Sequence, residues 1–531
     1  MNKIKKHIIP AILLIFIPFF FSCTNNNDSN VQSRLKNKQI VWSIPDKPHF
    51  LDPGLCGYMD GTDVINNMFE GLFRVTKKDN ITFGVVKSYS CSEDKKTYIF
   101  EFKDDVYWSD GKKVSPKDFE FSWKRVLNPD FQSPRKNLFL SLKNADNIIN
   151  HSYDISSLGV KALNDHQLKI DLEHPVDHLF KLLSLTPFMP IREDMVDSEN
   201  LFIKDTKTFI SNGPFFLERV SDNYLILKKN IFYNNADKSN VGSVLVKFIN
   251  DSNTAYIGYK SKNIDIIDNV PLNELQKLYK SDEFISIPYY GMYFYSFNLN
   301  LNCLKNKKTR QAISAAIDRD AIIKKIRKSS EKPANEYIHP DFMKNITGSS
   351  VIKNSFDLKK AKKLFLESGF DNNNKFPELE ILFNSESENK IIAEVVQEML
   401  KNNLNIDVKL HGNEWSIFNN KRKKLEYNGL VKNSYIVESF DPISFLEIFR
   451  PGGISYCGYN NEKYNLILNN ILNINSADDK NKEILKAAQI LDDEMPIIPL
   501  FYYSSSSLAQ PYIKNYYINY IGYKFLGFIK I

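Results

Sequence analysis

The stretch Trp108-Ser109-Asp110-Gly111-Lys112-Lys113-Val114-Ser115-Pro116-Lys117-Asp118-Phe119 decides how the chain is read. A strand-like end runs into a turn, where Gly111 supplies a backbone angle that other residues avoid. Ser115-Pro116 then opens a helix, with the serine as cap and the proline at the first position, where no amide hydrogen is needed. Strand, turn and helix follow one another within a few residues, which is the grammar of an α/β protein.

Outward from this block the alternation continues from Lys38 to Ile531. Strands are expected at 40–44, 97–102, 167–172, 225–228, 244–249, 293–299 and 379–383. Helices are expected at 307–316, 320–327, 357–368, 391–402 and 482–492, with Gly369 suited to a C-cap. No internal repeat is visible. The fold class is therefore mixed α/β. A chain of 531 residues with 43% hydrophobic and 13% aromatic content is too long for one core and should divide into two or three domains.

The amino terminus carries Lys3, Lys5 and Lys6 ahead of the apolar run Ile8 to Phe21. That run falls short of the roughly 20 residues a spanning helix needs, so it reads as a cleaved signal peptide. Ser22-Cys23 at its end resembles a bacterial lipobox, which makes Cys23 the expected lipidation site; a plain signal peptide with an incidental cysteine is the alternative. Residues 24–30 are polar and suit a tether. No later segment is apolar enough to cross a membrane.

Seventy basic and 63 acidic residues give a formal charge of +7 without a basic block, so nucleic acid is not an expected partner. Cys56, Cys91, Cys303 and Cys457 show no paired spacing and no adjacent histidines, so neither a metal site nor a cofactor is expected, and no disulfide is assigned. Hydrolase, zincin and phosphate-loop motifs are missing, and an enzyme is not expected.

The order of landmarks resembles the oligopeptide-binding proteins of ABC transporters, in the peptide and nickel solute-receptor family. The landmarks are Leu51-Asp52-Pro53, Asn67-Met68-Phe69-Glu70-Gly71-Leu72, Tyr98-Ile99-Phe100, the 108–119 block, Ser211-Asn212-Gly213-Pro214-Phe215, Arg310-Gln311-Ala312-Ile313, Ala316-Ile317-Asp318-Arg319, Ala361-Lys362-Lys363-Leu364 and Asp441-Pro442-Ile443-Ser444-Phe445-Leu446. These blocks read as architecture, not ligand contacts. The resemblance implies a two-lobed periplasmic-binding-protein fold of type II with an extra inserted subdomain. It places a signal peptide at 1–22 and the lipidated cysteine and tether at 23–37. Lobe I would comprise 38–69, 195–290 and 504–531, the inserted subdomain 70–194 and lobe II 291–503. Hinge crossings are expected near Pro288-Tyr289-Tyr290 and between Leu500 and Ser507.

The same resemblance implies a receptor that captures short peptides between its lobes and delivers them to permease subunits of an ABC transporter. It would act as a monomer held by lipid on the membrane, facing the periplasm or the outer surface. Gly57 and Met59 would lie along the peptide from one lobe, with Tyr435, Ile436 and Val437 along it from the other. Glu438 stands where the family anchors the ligand ammonium with an aspartate, and Asp441 is its rival. Trp415 matches an aromatic pocket wall. Arg327 and Arg422 fall on basic positions for the peptide carboxylate. Asn384 matches an asparagine, Asn389 replaces a histidine, and Arg135 replaces a tyrosine. These departures suggest a preference for acidic or shorter peptides. A dipeptide, a nickel chelate, haem, or a role as a surface adhesin or sensor are the alternatives on the same fold.

Overall fold

The computed structural model describes residues 25–57, 59–77, 80–197, 209–268, 270–329, 331–348, 354–371, 373–437, 441–471, 474, 476–519 and 521–531. The expected signal peptide and Cys23 lie outside these residues.

Ten strands order the principal sheet: β1 (Gln39–Ile44), β2 (Phe215–Val220), β3 (Tyr224–Lys229), β4 (Ser243–Phe248), β5 (Ile266–Ile267), β6 (Phe284–Phe297), β7 (Leu379–Asn384), β8 (Val408–Asn413), β9 (Gly429–Ile436) and β10 (Ile497–Ala509). Their spatial order is β8-β7-β9-β6-β10-β5-β1-β4-β3-β2, and Lys332–Pro333 pairs with β10 off this path. The two lobes are therefore halves of one continuous sheet, joined through β6 and β10. Those two strands pair antiparallel along most of their length, with a register shift between Pro288 and Met292. A bulge of this kind bends the ribbon and is a natural place for a hinge.

Two large apolar cores flank that ribbon. One runs from Ile40 to Val246 and closes with residues from Ile513 to Ile529. The other spans Met292 to Tyr502. Residues 70–194 share the first core. Within them lies a four-stranded antiparallel sheet in the order Val86–Cys91, Thr97–Phe102, Gln167–Asp171, Val160–Ala162.

The sequence landmarks meet as architecture. Asn212 accepts from the Glu70 amide at 3.0 Å and donates to the Glu70 carbonyl at 2.8 Å. The Gly213 amide reaches the Met68 carbonyl at 2.7 Å, and Ser109 donates its amide to Ser211 at 2.8 Å. Asp52 takes Arg125, on the helix Pro116–Leu127, in a buried two-point pair of 2.6 and 3.1 Å. Arg310 ties down the carbonyls of Leu304, Lys305 and Met495, and Arg319 that of Pro499. Buried carbonyls of helix and strand ends need such donors.

Gly111 takes φ +84° and Ser115 stands at the N-cap with Pro116 at the first position, both as expected. The Asp118 carboxylate is the added feature: it completes a capping box with Ser115, accepting the Ser115 amide at 2.8 Å and the Trp108 indole at 3.1 Å. Several expectations need correction. The strand expected at 293–299 is the far half of β6. The helix expected at 320–327 is one short turn, Arg319–Ala321, followed by a wider π-type turn, Ile322–Arg327. Helices expected at 391–402 and 482–492 run longer, as Ser387–Leu404 and Ala477–Glu494. Gly369, at φ +95°, follows the helix Leu358–Glu367 as anticipated.

Candidate functional site

Strands β7, β8 and β9 run parallel, so their carboxyl ends lie along one edge. In open α/β sheets this edge is where ligands bind, because the following helices present their amino ends there. Here β7 leads to the helix Ser387–Leu404 and β8 to the helix Trp415–Lys423. Antiparallel β6 brings Gly291–Tyr293 opposite Ser434–Ile436, so the edge abuts the hinge crossing.

One feature of β9 stands out. Its pairing with β7 stops at Leu382↔Val431, whereas β9 continues to Ile436. Among the described residues no strand pairs with that flank from Lys432 onward, although the Ser434 amide is turned to the Asn433 side-chain oxygen at 3.1 Å; a flank without a neighbouring strand admits an extended chain. The expected residues Tyr435 and Ile436 lie on this segment, half-buried, with the Tyr435 ring 6.0 Å from that of Phe445. Val437 is buried and its amide is spent on the Tyr290 carbonyl at 2.7 Å. Its side chain belongs to the core.

Beside the open flank sits a polar cluster. Asn389 donates to Asn384 at 2.9 Å and to Glu386 at 3.0 Å, Asn384 donates to Glu386 at 2.6 Å, and the Tyr293 hydroxyl donates to Asn389 at 3.2 Å. The expected Asn384 and Asn389 are thus together, both buried, and organised by Glu386.

Lys432 adds a charge to this cluster. It is 9% exposed, its ammonium stands 5.4 Å from the Tyr293 ring centroid, and no carboxylate pairs with it among the described residues. Burial pushes its pKa down to about 8, opposed by Glu386 and assisted by Arg422. A buried cation without an anion is costly, so a site that retains one has a reason to receive an anion. Sequence reading passed over both Lys432 and Glu386. A lysine inside an apolar strand pattern was the signal for the first.

Arg422 and Trp415 also meet. The Arg422 guanidinium lies 5.3 Å from the Trp415 ring, 5.0 Å from Phe418 and 4.7 Å from Tyr456, and donates to Asn419 and Asn433 at 3.0 Å each. Trp415 remains 47% exposed. Such stacking holds the guanidinium in place, and no acid pairs with it among the described residues.

Arg327 differs. It is 8% exposed and gives two 2.6 Å bonds to Glu331, with Glu388 as a further ion-pair partner. Its charge is already committed.

In the other lobe Gly57 is exposed and packs by Pro134, whose Cγ would lie 3.3 Å from an added Cβ, so Gly57 and Arg135 belong to neighbouring segments. Met59 begins the helix Met59–Met68. Glu438 and Cys23 fall outside the described residues. Asp441 is taken up: Lys480 reaches it at 3.3 Å, His178 at 3.7 Å, and it accepts the Ile443 amide at 3.0 Å.

Among the described residues, three cavities lie where the two lobes meet, the smallest, of about 420 Å³, between Lys181 and Pro442. The largest, of about 790 Å³, is bordered by Glu173, His178, Asp441 and Lys480. The third, of about 470 Å³, lies on the hinge between Asp251, Asp268, Arg327 and Ser504.

With this geometry in hand, the comparisons are specific. The description "bacterial extracellular solute-binding proteins, family 5 Middle" matches residues 80–456. The dipeptide-binding protein DppE of Bacillus subtilis is 28% identical over 98% of both chains. Among solved structures, a periplasmic oligopeptide-binding protein of Borrelia burgdorferi superposes with a TM-score of 0.81 at 29% identity, covering 93% of this chain and 99% of that one. The murein tripeptide binding protein MppA of Escherichia coli gives 0.78 at 28%, covering 93% and 98%. The two-lobed architecture is that of these binding proteins.

Proposed function

The chain belongs to family 5 of the bacterial extracellular solute-binding proteins, and from that premise we propose that it captures short peptides between its lobes and delivers them to an ABC transporter. The observation that carries this reading is the open flank of β9 from Lys432 to Ile436, which offers backbone groups to an extended chain. Peptides share that backbone whatever their side chains, so sheet augmentation is the recognition mode a broad receptor needs.

The termini supply the remaining handles. Lys432 receives the ligand carboxylate, with Arg422 beside Trp415 as a second cation along the same edge. Glu438 takes the ammonium, because Asp441 already faces Lys480. A charge-assisted bond of this kind contributes roughly 1.5–3 kcal/mol. Gly57, Met59 and Arg135 approach from the opposite lobe. Ligand contacts on both lobes favour the closed state over the open one.

The receptor works without catalysis, as a monomer outside the cytoplasm, on a lipid at Cys23 after loss of residues 1–22. The tether covers 23–37. Lobe I is assigned to 38–69, 195–290 and 504–531, the inserted subdomain to 70–194 and lobe II to 291–503. Native mass spectrometry of protein purified from its own host is the direct test. A ladder of peptide masses is expected, whereas an empty protein or a non-peptide solute would overturn the reading.

A further inference from the structure

The hinge cavity has a charge opposite to what a carboxylate receptor requires. Asp251 and Asp268 enter it from one lobe, Glu331 and Glu388 from the other, and Arg327 is the only base among its described lining residues. Arg327 is neutralised in two-point fashion by Glu331 and is also paired with Glu388. Lys524 is shared by Asp268 at 3.4 Å and Asp63 at 2.7 Å, which leaves Asp251, Glu331 and Glu388 against Arg327.

We infer that this cavity accepts a positively charged side chain of the peptide, a lysine or arginine, and rejects a carboxylate. The inference rests on the peptide reading above and deepens it. Three observations support it beyond the presence of acids. The space is real, about 470 Å³, which holds a long side chain with water to spare. It lies across the two lobes with Ser504 and Ser506 of the hinge strand in its lining, so its occupant touches both halves. And the acids outnumber the base: Arg327 is shared between Glu331 and the 42% exposed Glu388, while Asp251, which caps the helix Ser252–Lys260, is a further carboxylate.

The cleft is thereby polarised. Arg422 and Lys432, neither paired with an acid among the described residues, lie at the β7–β9 edge, where Glu386 is taken up by Asn384 and Asn389, and four acids lie at the hinge. An incoming carboxylate finds cations at the first place and like charge at the second. This inference runs counter to the sequence expectation of a preference for acidic or shorter peptides, which weighed Arg135, Glu438 and the uncharged Gly57.

Calorimetry with alanine-based peptides of three to five residues, carrying lysine, norleucine or glutamate at each position in turn, tests the inference. At one position the lysine peptide should bind at least 10-fold more tightly than its norleucine counterpart, and the glutamate peptide more weakly than either. The lysine-to-norleucine ratio should fall several-fold in Glu388→Gln and in Asp251→Asn, the latter keeping a helix-capping oxygen. Equal binding of lysine and norleucine peptides at every position, or tighter binding of glutamate, overturns the inference while leaving the peptide reading standing. No binding by any peptide overturns both.

Discussion

At the scale of single residues, Lys432 trades stability for binding. Its pKa in the fold is near 8, against an ordinary lysine value of 10.5, because burial disfavours the charged form. The sign follows from proton counting: between these values the unfolded chain holds more protons, so stability rises with pH across that window. Below about pH 8 the folded protein carries the whole cost, on the order of 3 kcal/mol. Lys432→Met should therefore melt later than the parent at pH 7, with the advantage shrinking to nothing as pH passes 10.5. The same substitution should weaken peptide binding by roughly 10- to 100-fold, the worth of one charge-assisted bond. Melting curves and calorimetry at pH 7 and pH 10 check the two halves independently; a variant that melts earlier at pH 7 refutes the account.

Arg327 illustrates how far residue identity alone can be read. Its basic character and position were legible, but its role depends on Glu331, four residues on, and on Glu388 from another helix. The first partner is visible in sequence as an i,i+4 pair. The second requires the fold, as does the grouping of Asn384, Glu386 and Asn389 around Tyr293. Trp415 and Arg422, by contrast, share the helix Trp415–Lys423, and a spacing of seven residues, two turns, is what sets them on one face.

At the scale of elements, the landmark blocks are junctions. Gly213 lies so close to residue 68 that an added Cβ would stand 2.6 Å from the Met68 carbonyl carbon. Gly213→Ala must push two backbones apart, and we expect a loss on the order of 3 kcal/mol, as for severe overpacking. Limited proteolysis and thermal melting should both register it; unchanged melting would mean that the junction is slack. Strand positions were legible because period and composition agree in a half-buried strand, as at Thr97–Phe102. The near half of β6 was missed because Pro288 interrupts the pattern at the hinge bulge. Ser115 was legible as a cap because serine before proline usually is one; the part of Asp118 was not, because its second bond, to the Trp108 indole, depends on the fold.

At the scale of the whole molecule, the two lobes also meet away from the hinge. Asp441 and Lys480 of the second core face His178 and Asp177 of the inserted region, at 3.3, 3.7 and 3.8 Å for Lys480–Asp441, His178–Asp441 and Lys480–Asp177. This clasp contributes only while the lobes are together, so removing it shifts the balance toward the open form. Lys480→Met should enlarge the radius of gyration of the ligand-free protein in small-angle scattering and lower peptide affinity a few-fold, while saturating peptide restores the compact form. His178 makes the clasp sensitive to acid. Burial first, and then Lys480 and Lys181, depress its pKa, while Asp441 and Asp177 act against them. A histidine whose pKa is lower when the lobes are together takes up its proton more readily when they are apart. Closure is then fully favoured above the ordinary histidine value of about 6.5 and weakens as pH falls below it. Scattering between pH 7.5 and 5 should show the ligand-free protein expanding, and His178→Gln should flatten that response. Expansion of equal size in the variant would move the acid response off His178, first to His174, which borders the same cavity and whose pKa is likewise lowered by burial and by Lys480.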